Sequence, residues 1–224
     1  MPLDYFYDTA DFTAFPEPET YFHSEIEKEY LLPIATIKHG GDIVLIAAPV
    51  EPEEGIIGEY SQDFYNETCR ENWVSYSLVD GKWKLDCDSR FFQKGNPKYM
   101  SKSWYPETTS YYNLAKSFYK DNEFLQYGLK SSTKPDQEYK VPLFHLGGIA
   151  EKNSNWYNSS NFHHKLSFNA EFQKEEVVIL DQNNVEYEYL GYFSSYYYMY
   201  PQAGVILVFF HPIKKQVLLT YDYT

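Results

Sequence analysis

Cysteine is nearly absent: Cys69 and Cys87 are the two in 224 residues. Two thiols without a repeated spacing exclude a disulfide framework and a cysteine-ligated zinc site. No apolar run approaches the roughly 18 residues that a membrane-spanning helix needs. The opening residues Pro2-Leu-Asp-Tyr-Phe-Tyr-Asp8 lack a basic region followed by an apolar stretch, so no secretory signal is expected and the chain reads as cytoplasmic. In that setting the sequons at Asn66 and Asn158 are chance matches.

Basic residues are scarce too, with 19 Lys and Arg against 32 Asp and Glu and a net charge of −13. The deficit is local. Residues 1–90 hold 19 acids and 6 bases, which accounts for all of it, while residues 91–224 hold 13 of each. A negative field of that size disfavours nucleic acid and anionic membrane as ligands. It favours a basic protein partner, whose encounter rate it raises. An acidic balance also serves solubility alone.

Catalytic and cofactor signatures are missing as well. There is no Gly-x-Gly-x-x-Gly, no Gly-Lys-Ser/Thr and no Gly-x-Ser-x-Gly. Gly40-Gly41 and Gly147-Gly148 therefore read as turns. No two of the six histidines stand at the helical i, i+4 ligand spacing, and His163-His164 would point apart in extended chain. Asp86 and Asp88 are two acids in an acid-rich stretch, not a glycosidase pair. The expectation is no catalytic residue, no cofactor and no metal.

What the chain has in excess is aromatic residues, at 20%, including 24 Tyr. Such a chain folds. Its last fifty residues predict four strands: Glu176–Asp181, Val185–Leu190 running on toward Tyr200, Gly204–Phe210, and Gln216–Tyr223. Asn183-Asn184 and His211–Lys215 are the turns between them. Val185, Tyr187 and Tyr189 alternate with Glu186 and Glu188, which predicts one wet and one buried face. Val205–Phe210 holds no polar residue and belongs at the centre, covered on both sides.

Upstream, residues 1–20 read as an irregular segment that packs down, or as a first short strand. Glu19–Leu32 reads as a short helix before Pro33, with a strand as the alternative. Ile34–Lys38 and Asp42–Pro49 flank a glycine hairpin. Ile56–Tyr60 would begin another strand. Asn72–Val79 and Lys82–Cys87 enclose Asp80-Gly81, with Trp83, Leu85 and Cys87 turned to the core. A helix over about 106–127 is predicted by Pro106 at its start, Gly128 past its end and a stripe through Tyr111, Leu114, Ala115, Phe118, Tyr119 and Leu125. Leu129–Lys140 is a solvent loop and the best internal boundary in a single domain spanning 1–224. The fold class is α+β: β-rich, mainly antiparallel, with at least one packed helix.

Two stretches stand out as contact surfaces. Glu51, Glu53 and Glu54, with Glu59 and Asp63 beyond them, form an acidic loop suited to a basic partner. Tyr196, Tyr197 and Tyr198 offer rigid amphipathic area of the kind that anchors protein interfaces, unless the fold itself covers them.

His145-Leu-Gly-Gly148, Val178-Ile-Leu-Asp-Gln182, Ala203-Gly-Val-Ile-Leu-Val-Phe-Phe210 and the closing Val217–Tyr223 run resemble the YwqG-like family of bacterial proteins over residues 143–224. That family sets a Leu-Gly-Gly turn before a strand ending in Asp, then a Gly and an apolar strand before a final strand. Its tryptophan-rich segments are matched here only at Trp156. The resemblance implies a toxin context, since some members accompany secreted bacterial toxins as immunity proteins. Charge and resemblance together give the expected function: an immunity protein that neutralises a basic toxin by direct binding. The alternatives are a small-ligand module with a tyrosine-lined pocket, or an enzyme with a dispersed site in which His145, His163 and Asp181 are the first residues to test.

Overall fold

The structure, a computed structural model, describes residues 2–51, 56–98, 105–152, 155–158, 162–200 and 204–223. The chain opens with two three-residue strands, β1 (Leu3–Tyr5) and β2 (Phe12–Ala14), then two short helices, α1 (Pro18–Tyr21) and α2 (Glu25–Tyr30). A long hairpin follows, β3 (Leu31–His39) and β4 (Asp42–Pro49), then a second, β5 (Trp73–Val79) and β6 (Lys82–Leu85). The long helix α3 (Tyr105–Asn122) leads to β7 (Leu125–Gln126), β8 (Lys140–Val141) and β9 (Phe144–Leu146). After α4 (Asn155–Asn158) come β10 (His164–Asn169), β11 (Lys174–Ile179), β12 (Glu188–Ser194), β13 (Val205–His211) and β14 (Gln216–Asp222).

Seven strands form the main sheet, in the order β1-β9-β12-β13-β14-β5-β6, with every neighbour antiparallel. The apolar strand β13 lies in the middle, where the sequence places it. Its side chains alternate between two cores. Ile206, Val208 and Phe210 join Val217, Leu219, Val74 and Tyr76 on one face. Leu207 and Phe209 join Leu218, Trp73 and Trp156 on the other. This is the period-2 geometry of a strand covered twice. Each fully buried aliphatic or Phe side chain stabilises by about 1.5–3 kcal/mol.

The first face is covered by the three-stranded sheet β2-β3-β4 and by α3, the second by the β10–β11 hairpin and α4. Tyrosine hydroxyls tie the layers together. Tyr76 on β5 donates to the Leu45 carbonyl (2.9 Å) and accepts from the Ala47 N–H (2.8 Å) on β4. Tyr112 on α3 donates to the carbonyl of Pro33 on β3 (2.6 Å). A buried phenol needs a partner, and backbone groups outside a ladder need one as well. Tyr198 and Tyr221 donate to backbone carbonyls in the same way.

The turns form as their chemistry requires. Gly40 and Gly41 both hold positive φ between β3 and β4, as do Asp80 and Gly81 between β5 and β6. The loop 130–139 is exposed throughout. Several expectations are corrected. The segment 19–32 is neither one helix nor a strand. Phe22 bridges to Trp83, and Ser24 starts a new helix with a capping box to Glu27. Pro33 lies inside β3, at an irregularity in its pairing. The long helix stops at Asn122 because Glu123 turns left-handed (φ 61°) and Leu125 pairs with Val141 on β8. Ile56–Tyr60 forms turns, not a strand. The first of the four C-terminal strands leaves the main sheet and pairs with β10, a strand the sequence pattern missed. The strand toward Tyr200 ends at Ser194, where Ser195–Tyr197 coil into a 3-10 turn. Cys69 is fully buried, whereas Cys87 is only partly so.

Candidate partner-binding surface

Beyond the predicted Glu51–Glu54 stretch, Glu59 and Asp63 stand on a loop, residues 56–72, that is anchored to the fold. Gly58 takes a positive φ (76°), and a side chain there would meet the Phe91 ring at 2.7 Å. Tyr65 donates to the Gly58 carbonyl (2.8 Å). Asn66 accepts the N–H groups of Thr68 (2.9 Å) and Cys69 (2.7 Å), closing an Asx turn. Asn72, buried and left-handed, donates to the Tyr221 carbonyl on β14 (2.8 Å). This frame presents Glu59, Asp63, Glu67 and Glu71 at or near the surface.

Ion pairs neutralise many of the other acids of residues 1–90. Glu17, Glu19, Glu25, Glu29, Asp11, Asp42 and Asp88 each have a Lys or Arg within ion-pair distance, three of them supplied by Lys94, Lys116 and Lys215 from beyond residue 90. Among the described residues, Glu67 has only Lys214, at 3.9 Å. Among the described residues, Glu59, Asp63 and Glu71 have no ion-pair partner.

The sequence-selected contacts divide. Glu53 and Glu54 lie outside the described residues. Glu51 is corrected. It is 2% exposed, its carboxylate accepts the Gln93 N–H (3.0 Å), and its carbonyl accepts the Tyr221 hydroxyl (3.4 Å), so it holds the fold from inside. Tyr198 is corrected likewise: it is fully buried and donates to the Leu143 carbonyl (2.7 Å). The 3-10 turn carries it inward and leaves Tyr196 and Tyr197 half-buried. Glu59 is half-buried and Asp63 exposed.

Tyr196 and Tyr197 belong to a larger aromatic cluster. Tyr196 stacks on Tyr127 (centroids 5.7 Å, 18°), and Tyr197 meets the same ring edge-on at 6.3 Å. Tyr200 packs on Tyr196 and Tyr111, and the Lys130 ammonium sits 3.8 Å from its centroid. Burial above all pushes the Tyr111 phenol up to about 12. Tyr127 and Lys130 escaped sequence reasoning because they lie in a segment some seventy residues away.

The dispersed-site residues do not gather. His145 pairs with Asp4 (2.6 Å) and stacks on Tyr192. His163 and Asp181 do meet, at a cavity of about 220 Å³ also lined by Glu67, Arg70, Gln182 and Tyr187. Asp181 is committed elsewhere. One carboxylate oxygen accepts the N–H groups of Asn183 and Val185 (both 2.8 Å), and the other faces Lys214 (2.9 Å) and His211 (3.3 Å). His211 accepts the Lys214 N–H at Nδ1 (3.2 Å), so its Nε2 proton points to Asp181. Both ring nitrogens are used, and the pair clasps the turn before β12 to the β13–β14 turn. Lys214 first, then those N–H groups and His211, hold the Asp181 carboxyl well below its usual range.

Among the described residues no three His, Cys, Asp or Glu side chains gather as a metal site, and no helix is long and apolar enough to cross a membrane. Compared with known proteins, the chain matches no family model, no curated protein and no solved structure.

Proposed function

We propose that this chain is a non-catalytic binding protein that neutralises a cognate basic toxin by covering it with the acidic loop 56–72. One observation carries the reading: many other exposed acids of residues 1–90 are neutralised within the fold, while Glu59 and Asp63 have no ion-pair partner among the described residues and stand on an anchored loop. Carboxylates fixed without cations attract a partner's Lys and Arg at little cost in ordering. Tyr196 and Tyr197 are the aromatic anchors of a second contact. The toxin context rests on the resemblance of residues 143–224 to the YwqG-like family.

The test uses the purified protein as bait in lysate of its own organism at low and high salt. The expected result is one stoichiometric partner with a basic domain, toxic when expressed alone and harmless with this chain. Glu59→Lys with Asp63→Lys should lower its affinity at least about tenfold and flatten the salt dependence. Capture indifferent to both substitutions would remove the acidic loop from the interface. A second reading, a small-ligand module, is favoured by a separate cavity walled by Tyr189 and Tyr192.

A further inference from the structure

On the second face of the main sheet the described residues leave a cavity of about 270 Å³, between α4 and strands β12 and β13. Its walls are aromatic and aliphatic, Trp156, Tyr189, Tyr192 and Leu207, and its described charged groups are two carboxylates, Glu151 and Asp222. No Lys or Arg is among the described residues that line it.

The rings are held in place before any ligand arrives. Trp156 packs against Trp73 and Phe209, with centroids near 6 Å. Tyr189 packs against Phe209 at 5.3 Å. Tyr192 stacks on His145 (4.3 Å, 18°), which Asp4 holds from behind (2.6 Å). Asp222 accepts the Trp156 N–H through one oxygen (3.2 Å), and its other oxygen has no partner among the described residues. Glu151 gives one oxygen to Lys174 (2.7 Å). Burial first, then Tyr192, Glu151 and Asp222, push the Tyr189 phenol up, so the negative potential of both carboxylates reaches the ring wall.

Aromatic faces attract cations through the ring quadrupole, most strongly where water is excluded. A carboxylate beside them adds Coulomb attraction without demanding a hydrogen-bond donor. A neutral ligand would gain only the apolar contact, and an anion would be repelled. The volume lies just below that of a drug-sized pocket, so it takes a head group and a short tail. We propose that the cavity walled by Trp156, Tyr189 and Tyr192 and flanked by Asp222 binds a small organic cation with a methylated ammonium head. This site stands independently of the toxin-binding reading.

Isothermal titration of the full chain with choline chloride, and with its neutral isostere 3,3-dimethylbutan-1-ol, tests the charge. Choline should bind at least about tenfold tighter than the isostere. Asp222→Asn, which keeps the acceptor for the Trp156 N–H, should weaken choline about fivefold or more and leave the isostere unchanged. Tyr192→Leu, on a strand whose core side chains it leaves alone, should weaken choline similarly and serves if the Asp222 variant fails to fold. Phosphatidylcholine vesicles form a further arm: co-sedimentation assigns the head to a lipid, and choline binding without it assigns the free cation. Equal affinity for choline and its isostere, or no choline binding at millimolar concentrations, would overturn the proposal.

Discussion

Asp181 and Tyr198 carry the residue scale, since each was a candidate for function and each works for the fold. The Asp181 carboxyl is held low chiefly by Lys214, with the Val185 and Asn183 N–H groups and His211 helping. In the unfolded chain it regains an ordinary carboxylate pKa near 4. Its stabilisation is therefore complete above that value and lost as pH falls through it toward the lower folded pKa. Asp181→Asn should cost about 1–3 kcal/mol at neutral pH. Urea titrations should show that gap closing as pH drops below about 4; a gap constant with pH would mean that the clasp does not depend on charge. Tyr198→Phe removes one buried hydrogen bond to Leu143 and should cost about 1 kcal/mol in thermal unfolding while leaving partner capture intact. Reduced capture would return Tyr198 to the interface.

Between the paired strands β9 and β12 the backbones leave no room for a side chain at one position. Gly191 holds a φ of 140°, and a Cβ there would lie 1.9 Å from the His145 carbonyl oxygen. That contact is with backbone and cannot be relieved by a rotamer. Gly191→Ala should destabilise by about 3 kcal/mol or more and abolish amide-exchange protection across the Gly191–Leu146 pair. Gly41→Ala is the control: its φ is also positive (88°), but nothing lies within 4 Å, and its cost should stay near 1 kcal/mol. Equal losses would show that conformation, not close approach, fixes Gly191. The elements also explain the misread strand ends. β12 reads as extended chain through Tyr200, yet the Ser195 N–H bonds to the Gly204 carbonyl and the Met199 N–H back to Ser195. Such bonds leave no mark in an aromatic run.

For the whole molecule, charge and burial have different origins. The excess of acids over residues 1–90 can be counted, but its distribution is decided by folding. Lys94, Lys116 and Lys215 come from the balanced half to pair Glu29, Glu17 and Asp42, and Glu59, Asp63 and Glu71 on the 56–72 loop are among the acids left without an ion pair among the described residues. Partner affinity should therefore fall with salt through Glu59 and Asp63, whereas Glu17→Gln should change it little. A binding study from low to high ionic strength on the two variants would separate them, and equal sensitivity would assign the attraction to net charge alone.

By itself the sequence determined the α+β class, the central place of Val205–Phe210 and the hairpins at Gly40-Gly41 and Asp80-Gly81. Those features follow from period-2 alternation and local turn chemistry, which act between residues close in the chain. Only the tertiary structure decided which acids and tyrosines face solvent. Glu51 and Tyr198 look like their neighbours in sequence, but Gln93, Tyr221 and Leu143 draw them inward. The Tyr127–Tyr196 stack and the Tyr189–Tyr192–Trp156 cavity likewise join segments far apart in the chain. Burial depends on what packs opposite a side chain, and that partner comes from elsewhere in the sequence.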